Sequence, residues 1–320
     1  MRTFAAEPDQ KPSALGEDIL NTEKQSAEVR GTALDSHLSS ELERELPERF
    51  IQERETEYLE FVITTHRRNY ILPFSYQDEP NNQPWNNAQT YLETNPMEHS
   101  EIKLQVSFKV PIFENDLFYD GDGFYFGFTM KSFWQAYNRR ISAPFRETNY
   151  RPELFYQAPF ALPNQYGSLF VRAGIEHESN GRSQLLSRSW NRVYAGLGFL
   201  RKHWAIYLQP WYRLPEEDKK DDGNPSTPPP AKGDDNPDIQ DFYGNFELLT
   251  VYERQDFQIG AMLRSNPASH KGALELSYSF PLYGRLRGLV QYFDGYGDSL
   301  IDYDYRNQRI SLGILLTDFL

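Results

Sequence analysis

Ile102-Lys103-Leu104-Gln105-Val106-Ser107-Phe108-Lys109-Val110 places an apolar residue at every second position. A period of two belongs to a β-strand with one apolar and one polar face. About nine to eleven such residues, tilted, span the hydrocarbon core of a bilayer. The same alternation recurs in Phe124–Trp134, in Leu169–Ser179, in Leu274-Glu275-Leu276-Ser277-Tyr278-Ser279-Phe280 and in Ile310-Ser311-Leu312-Gly313-Ile314. Helix-length periods of 3.6 are absent after residue 65.

Working outward, the punctuation between these runs marks twelve expected strands, near 70–78, 99–110, 123–136, 149–158, 168–179, 187–200, 203–213, 240–251, 257–265, 270–280, 285–293 and 309–319. Connections alternate in length. Lys202 leaves almost no room for a loop and Pro281–Gly284 is tight, whereas 79–98, 214–239 and 294–308 are long and polar. Short turns on one rim and long loops on the other are the pattern of an outer-membrane barrel. An even strand number lets antiparallel edges close. The expected fold is therefore all-β, a twelve-stranded antiparallel transmembrane β-barrel over residues 66–320. A large soluble β-sandwich or lipocalin-like protein is the competing expectation, and it would bury its apolar face inside.

Residues 1–65 read differently. They are densely charged, lack Trp and reach their first Tyr at Tyr58. Leu38, Leu42 and Leu46 are spaced like one helix face, with Asp35 or Ser36 as cap and Pro47 as the stop. This stretch is expected to be a polar N-terminal extension, partly helical or disordered, with a partner-binding or plugging segment as the functional alternative. Met1–Ala6 is too short for a signal peptide, which implies a removed or truncated leader.

Composition narrows the function. A formal net charge of -13 makes a poor nucleic-acid binder. The absence of Cys excludes disulfides and thiolate metal sites. No run of eighteen apolar residues exists, so no transmembrane helix is expected, yet barrel strands average to mild hydropathy and escape that test. The 22 Phe and 21 Tyr suit aromatic girdles at the membrane interfaces.

Strand parity then locates a chemistry. Leu169, Val171, Ala173, Ile175, His177 and Ser179 share one face, and Phe170, Arg172, Gly174, Glu176 and Glu178 the other. On the next strand Ser187, Ser189, Asn191, Val193, Ala195, Leu197 and Phe199 share a face. His177, Ser179 and Asn191 thus end apolar columns that face lipid in a barrel. A serine hydroxyl becomes nucleophilic when an imidazole takes its proton, and a third group holds that imidazole. Asn191 can do so as a neutral acceptor. The backbone N–H of Gly181, just past Ser179, is a candidate oxyanion donor. A lone His-x-Ser is by itself common, and His37, His66, His99, His203 and His270 read as exposed or interfacial. Arg182 and Arg188 fit lipopolysaccharide phosphates equally well.

Longer blocks carry a resemblance. Lys131-Ser132-Phe133-Trp134-Gln135, Pro144-Phe145-Arg146-Glu147-Thr148-Asn149-Tyr150, His177-Glu178-Ser179-Asn180-Gly181-Arg182-Ser183, Ser187-Arg188-Ser189-Trp190-Asn191-Arg192, Asp234-Asp235-Asn236-Pro237-Asp238-Ile239 and Gly295-Tyr296-Gly297-Asp298-Ser299-Leu300-Ile301-Asp302-Tyr303 follow in order. Over about residues 68–320 the chain resembles the outer-membrane phospholipase A family. The resemblance implies a calcium-dependent acyl hydrolase (phospholipase A1/A2) in the Gram-negative outer membrane, acting on phospholipids and lysophospholipids. It implies Ser179 as nucleophile, His177 as base and Asn191 as orienter. It also implies a homodimer whose Ca2+ is held by the Arg182 carbonyl and Ser187 hydroxyl of one protomer and Ser142 of the other. Charge alone points instead to Asp234 and Asp235. Departures are the long front extension, Glu178 in place of the usual Asp, and Met130 where the family can carry a Gln that pairs across the dimer seam. Phe319, one place short of the end, departs from the usual terminal aromatic. A non-enzymatic barrel, either a pore or a lipid-binding wall, is the rival function.

Overall fold

The computed structural model describes residues 38, 46, 48–56, 59, 63–88, 96–113, 116–143, 145–163, 166–220, 230, 232–284 and 286–318, all within one compact unit, Leu38–Leu320. Among them a short strand β1 (Thr64–Thr65) precedes twelve long strands: β2 (Asn69–Gln77), β3 (Ser100–Pro111), β4 (Gly123–Trp134), β5 (Glu147–Ala161), β6 (Ser168–Ser179), β7 (Ser189–Arg201), β8 (Trp204–Arg213), β9 (Phe246–Arg254), β10 (Phe257–Asn266), β11 (Lys271–Tyr283), β12 (Leu286–Tyr296) and β13 (Arg306–Thr317). Each long strand pairs antiparallel with the next, and β13 pairs back onto β2, so the sheet closes. Closure satisfies every strand edge, the condition for crossing lipid with strands. No described helix is long and apolar enough to cross a membrane.

The expected strands agree with these to within a few residues, with one exception. The run expected from 240 is a one-turn helix, α3 (Ile239–Tyr243), and β9 begins only at Phe246. Gly244, with φ of +83°, separates the two, and a helix that short leaves no period of 3.6 to read. The same holds for α2 (Gln83–Asn87), on the loop after β2.

Alternation places the faces as expected. Ile71, Val106, Ile175, Leu197, Ile259 and Ile310 are exposed on the outside, while their strand neighbours point inward. The apolar rows face out, which is the barrel arrangement and not that of a soluble sandwich.

The lumen is filled by charged pairs. Glu176 pairs with Arg67, Arg151 and Arg192, and Glu153 takes His66 Nε2 at 2.7 Å. Glu101 holds both Arg146 and Arg309. His66, Arg67 and Arg68 reach inward because the wall breaks between β1 and β2. There the Asn69 amide stands in for the lost ladder, accepting from Ser107 N at 2.5 Å and donating to Ser107 O at 3.1 Å. At the long-loop end, α3 and residues 297–305 fold inward. They bury Ile239, Tyr243, Leu300 and Tyr303 against Trp190 and Trp211.

At the short-turn end lies α1 (Glu48–Thr56), just after Pro47. Phe50 packs on Phe170 with ring centroids 6.0 Å apart, and Glu53 pairs with Lys109 at 3.0 Å. Leu38 and Leu46 are buried, but the rest of the expected Leu38–Leu46 helix lies outside the described residues. So do residues 1–37, part of 214–239, and Phe319. A cavity of about 220 Å³ remains in the lumen, lined in part by Phe50, Glu53 and Lys131.

Candidate active site

The site is built where β6 and β7 meet at the long-loop rim. Their ladder pairs Ile175 with Val193, His177 with Asn191 and Ser179 with Ser189. On the other side Tyr150 of β5 stands opposite Ser179. Directly opposed residues of an antiparallel pair bring their side chains within reach across the strands. His177 Nδ1 and Asn191 Oδ1 are 2.9 Å apart. An amide oxygen only accepts, so Nδ1 carries the proton and Nε2 keeps its lone pair. Ser179 lies one step along the same outward row, and both it and His177 are half-buried. Ile175, two residues before His177 on the same outward row, is 53 % exposed, so the row opens to the outside of the wall.

The β6–β7 loop is held by Asn180. Its Oδ1 accepts from Arg182 N at 3.2 Å and Arg188 N at 3.0 Å, and its Nδ2 donates to Leu186 O at 2.8 Å. Gly181 follows with φ of +63°, a left-handed conformation that favours glycine. A side chain there would also come within 3.3 Å of the Tyr150 ring. The bend keeps Gly181 beside Ser179 at the outer surface.

Glu178 points inward, as parity requires. It accepts from Trp190 Nε1 at 3.1 Å and lies 3.8 Å from Arg192. The exchange of Asp for Glu is therefore a lumen feature, remote from the outward row.

The expected calcium residues lie on neighbouring loops. The Arg182 guanidinium donates to the Phe145 and Arg146 carbonyls and stacks over Trp85, which ties its backbone to the β4–β5 loop carrying Ser142. Ser142 offers its carbonyl to Trp134 Nε1 at 2.7 Å. Ser187 Oγ donates to Asp235 Oδ2 at 2.7 Å, and Asp235 also pairs with the Lys219 ammonium. Hydroxyl and carbonyl oxygens such as those of Ser187 and Arg182 are donors of the kind a hard cation takes. Among the described residues no cluster of three or more His, Cys, Asp or Glu could hold a metal.

Of the two acidic residues that charge singles out, Asp235 reaches the site and Asp234 does not. Asp234 is bound to Arg213 at 2.6 Å. Two contacts were not visible in the sequence. Asn236 Oδ1 accepts from Ser189 N at 3.1 Å, which fixes the start of β7. Glu216 Oε1 accepts from Asn191 Nδ2 at 3.1 Å. The tight β7–β8 turn is the signal that could have found the second contact, since it pairs Arg192 with Arg213 and carries the chain past Leu214, bonded to Asn191 O, to Glu216.

Residues 46–316 match the family model described as phospholipase A1. A relative in Neisseria meningitidis serogroup B is 37% identical over 263 residues, which are 80% of this chain and 65% of that protein. The chain thus spans just under two thirds of that relative. The outer membrane phospholipase A of Escherichia coli superposes with a TM-score of 0.71 at 31% identity, covering 81% of this chain and 95% of that one. A Salmonella typhi outer membrane phospholipase, solved as a dimer with bound calcium, gives a TM-score of 0.71 at 29% identity over 83% of this chain and 96% of that one.

Proposed function

The chain belongs to the phospholipase A1 family, and from that premise we propose that it is an integral outer-membrane enzyme hydrolysing acyl esters of phospholipids and lysophospholipids. The observation that carries this reading is the 2.9 Å bond from His177 Nδ1 to Asn191 Oδ1, on the outward row that also bears Ser179. His177 Nε2 takes the Ser179 proton as Oγ bonds to the ester carbonyl carbon. Asn191 stabilises the imidazolium that forms, and the Gly181 N–H faces the developing oxyanion. The ester C–O bond then breaks, and the leaving alcohol recovers the proton from His177. Water activated by the same imidazole releases the fatty acid from Ser179. A site opening sideways at the rim takes lipid from the leaflet without drawing it through water.

Calcium supports this chemistry when bound, by stabilising negative charge on the substrate oxygen. The Arg182 carbonyl and the Ser187 hydroxyl would hold it, with Ser142 of the partner subunit completing the set in a symmetric homodimer. Such an enzyme idles as a monomer and acts when outer-leaflet phospholipid brings protomers together. Met130, outward on β4, packs at the expected seam without a polar partner bond. A cross-linked dimer should exceed a dilute monomer in rate, and equal, calcium-independent rates would sink the dimer requirement. The charged pairs that cross the lumen weigh against the pore reading.

Labelling with a fluorophosphonate, mapped by mass spectrometry, should modify Ser179 alone. Ser179→Ala should fold and lose ester hydrolysis in detergent micelles. Hydrolysis surviving that substitution refutes the reading.

A further inference from the structure

Asn191 raises a question that its pairing with His177 leaves open. A primary amide has a donor end and an acceptor end of nearly equal shape. Only the carbonyl end serves an Nδ1–H donor. Turned over, the amide offers N–H to Nδ1, which then takes the opposite tautomer and puts a proton on Nε2. That imidazole cannot accept the Ser179 proton. Something must choose the end.

Glu216 makes that choice. β8 ends at Arg213, but the chain continues beside β7, and Leu214 N donates to Asn191 O at 2.8 Å. This main-chain bond sets the half-buried Glu216 against the amide, where Oε1 accepts from Asn191 Nδ2 at 3.1 Å. A carboxylate only accepts, so it takes the NH₂ end and leaves the carbonyl for His177. Its charge also polarises the amide and makes the carbonyl oxygen a better acceptor.

We propose that Glu216 is a positioning residue for hydrolysis, one that orients and polarises Asn191 and through it selects the reactive tautomer of His177. The arrangement gives a neutral asparagine the behaviour of a carboxylate orienter, with the charge held one residue further from the imidazole. The inference rests on the hydrolase reading above.

The chemistry supplies a test that a merely structural contact would not pass. In Asn191→Asp the orienter is a carboxylate, both of whose oxygens accept. It needs no choice of end, and its second oxygen faces Glu216 as a like charge. We would measure kcat and KM in mixed micelles at saturating calcium for the wild type, Glu216→Gln, Asn191→Asp and the double variant. Glu216→Gln should lower kcat about 3- to 10-fold with KM unchanged, as expected for weakening one charge-assisted bond. In the Asn191→Asp background the same substitution should raise kcat. A fall of equal size in both backgrounds, or no change in either, overturns the proposal and leaves the hydrolase reading standing. Ser179→Ala is the separate control, and activity surviving there overturns both.

Discussion

Removing the orienter gives the most direct measure of how much the cross-strand pair contributes. Asn191→Ala deletes the acceptor 2.9 Å from His177 Nδ1 and leaves the β6–β7 ladder intact, since the main-chain register does not use the amide. Two effects follow. Without an acceptor, the two neutral imidazole tautomers are no longer strongly distinguished, which costs about a factor of two when both are equally populated. The larger effect comes as the imidazole takes the serine proton and becomes cationic, because the lost bond is then a charge-assisted one. Such bonds contribute about 1.5–3 kcal/mol, so kcat should fall roughly 10- to 150-fold. KM should move little, because Asn191 sits behind His177 and away from the ester. The assay is initial-rate hydrolysis in micelles at saturating calcium, with barrel integrity checked by heat-modifiable gel mobility. Retention of kcat within about twofold, with Ser179→Ala inactive, refutes the orienter role. A rise in KM at constant kcat refutes it too, since that assigns Asn191 to substrate binding.

Ser187→Ala removes one neutral oxygen from the expected cation site, so half-maximal activity should need about tenfold more calcium, read by titration after chelation. Unchanged calcium dependence excludes Ser187 as a ligand. Glu101→Ala strips buried Arg146 and Arg309 of a shared carboxylate and should destabilise the barrel by about 3–5 kcal/mol in urea unfolding from micelles. A loss under about 1 kcal/mol shows the lumen network to be solvated. Asp122, on the β3–β4 loop, should mark a pH dependence. Burial raises its pKa, but the Tyr156 hydroxyl and the backbone N–H groups of Leu117, Phe118 and Tyr119 outweigh that and hold it below the usual carboxylate value. A depressed folded pKa contributes stability above the unfolded value of about 4 and loses it as pH falls through the folded pKa. The stability gap between wild type and Asp122→Ala should therefore be full near pH 7 and close as pH falls through the depressed folded pKa; a gap that grows on acidification contradicts the assignment.

How much of this was legible in the sequence depends on how local the deciding physics is. Alternation in Ile102–Val110 and Leu169–Ser179 is local, because successive Cβ atoms must point to opposite faces. That rule by itself determined the strands, the shared face of His177 and Ser179 and the opposite face of Glu178, while which face turns outward was decided by closure of the sheet. Loop length by itself determined which rim carries the elaborations. Short helices escaped, since Ile239–Tyr243 makes a single turn and reads like the start of a strand.

Register and inter-loop contact belong to the tertiary structure alone. Parity says that Asn191 faces outward, but only the β6–β7 hydrogen-bond ladder says that it stands opposite His177 and not two residues away. A loop held by Asn180 and a turn at Gln184–Leu186 sets that offset, and the sequence offers many loops of the same length. The approach of Glu101 to Arg309 requires the sheet to close, and that of Asp235 to Ser187 requires two loops of one rim to meet, whereas Glu216 reaches Asn191 within the β7–β8 hairpin. Propensity acts over a few residues, whereas the partners of a buried or half-buried charge are chosen by the closed barrel, which removes it from water and obliges it to find them.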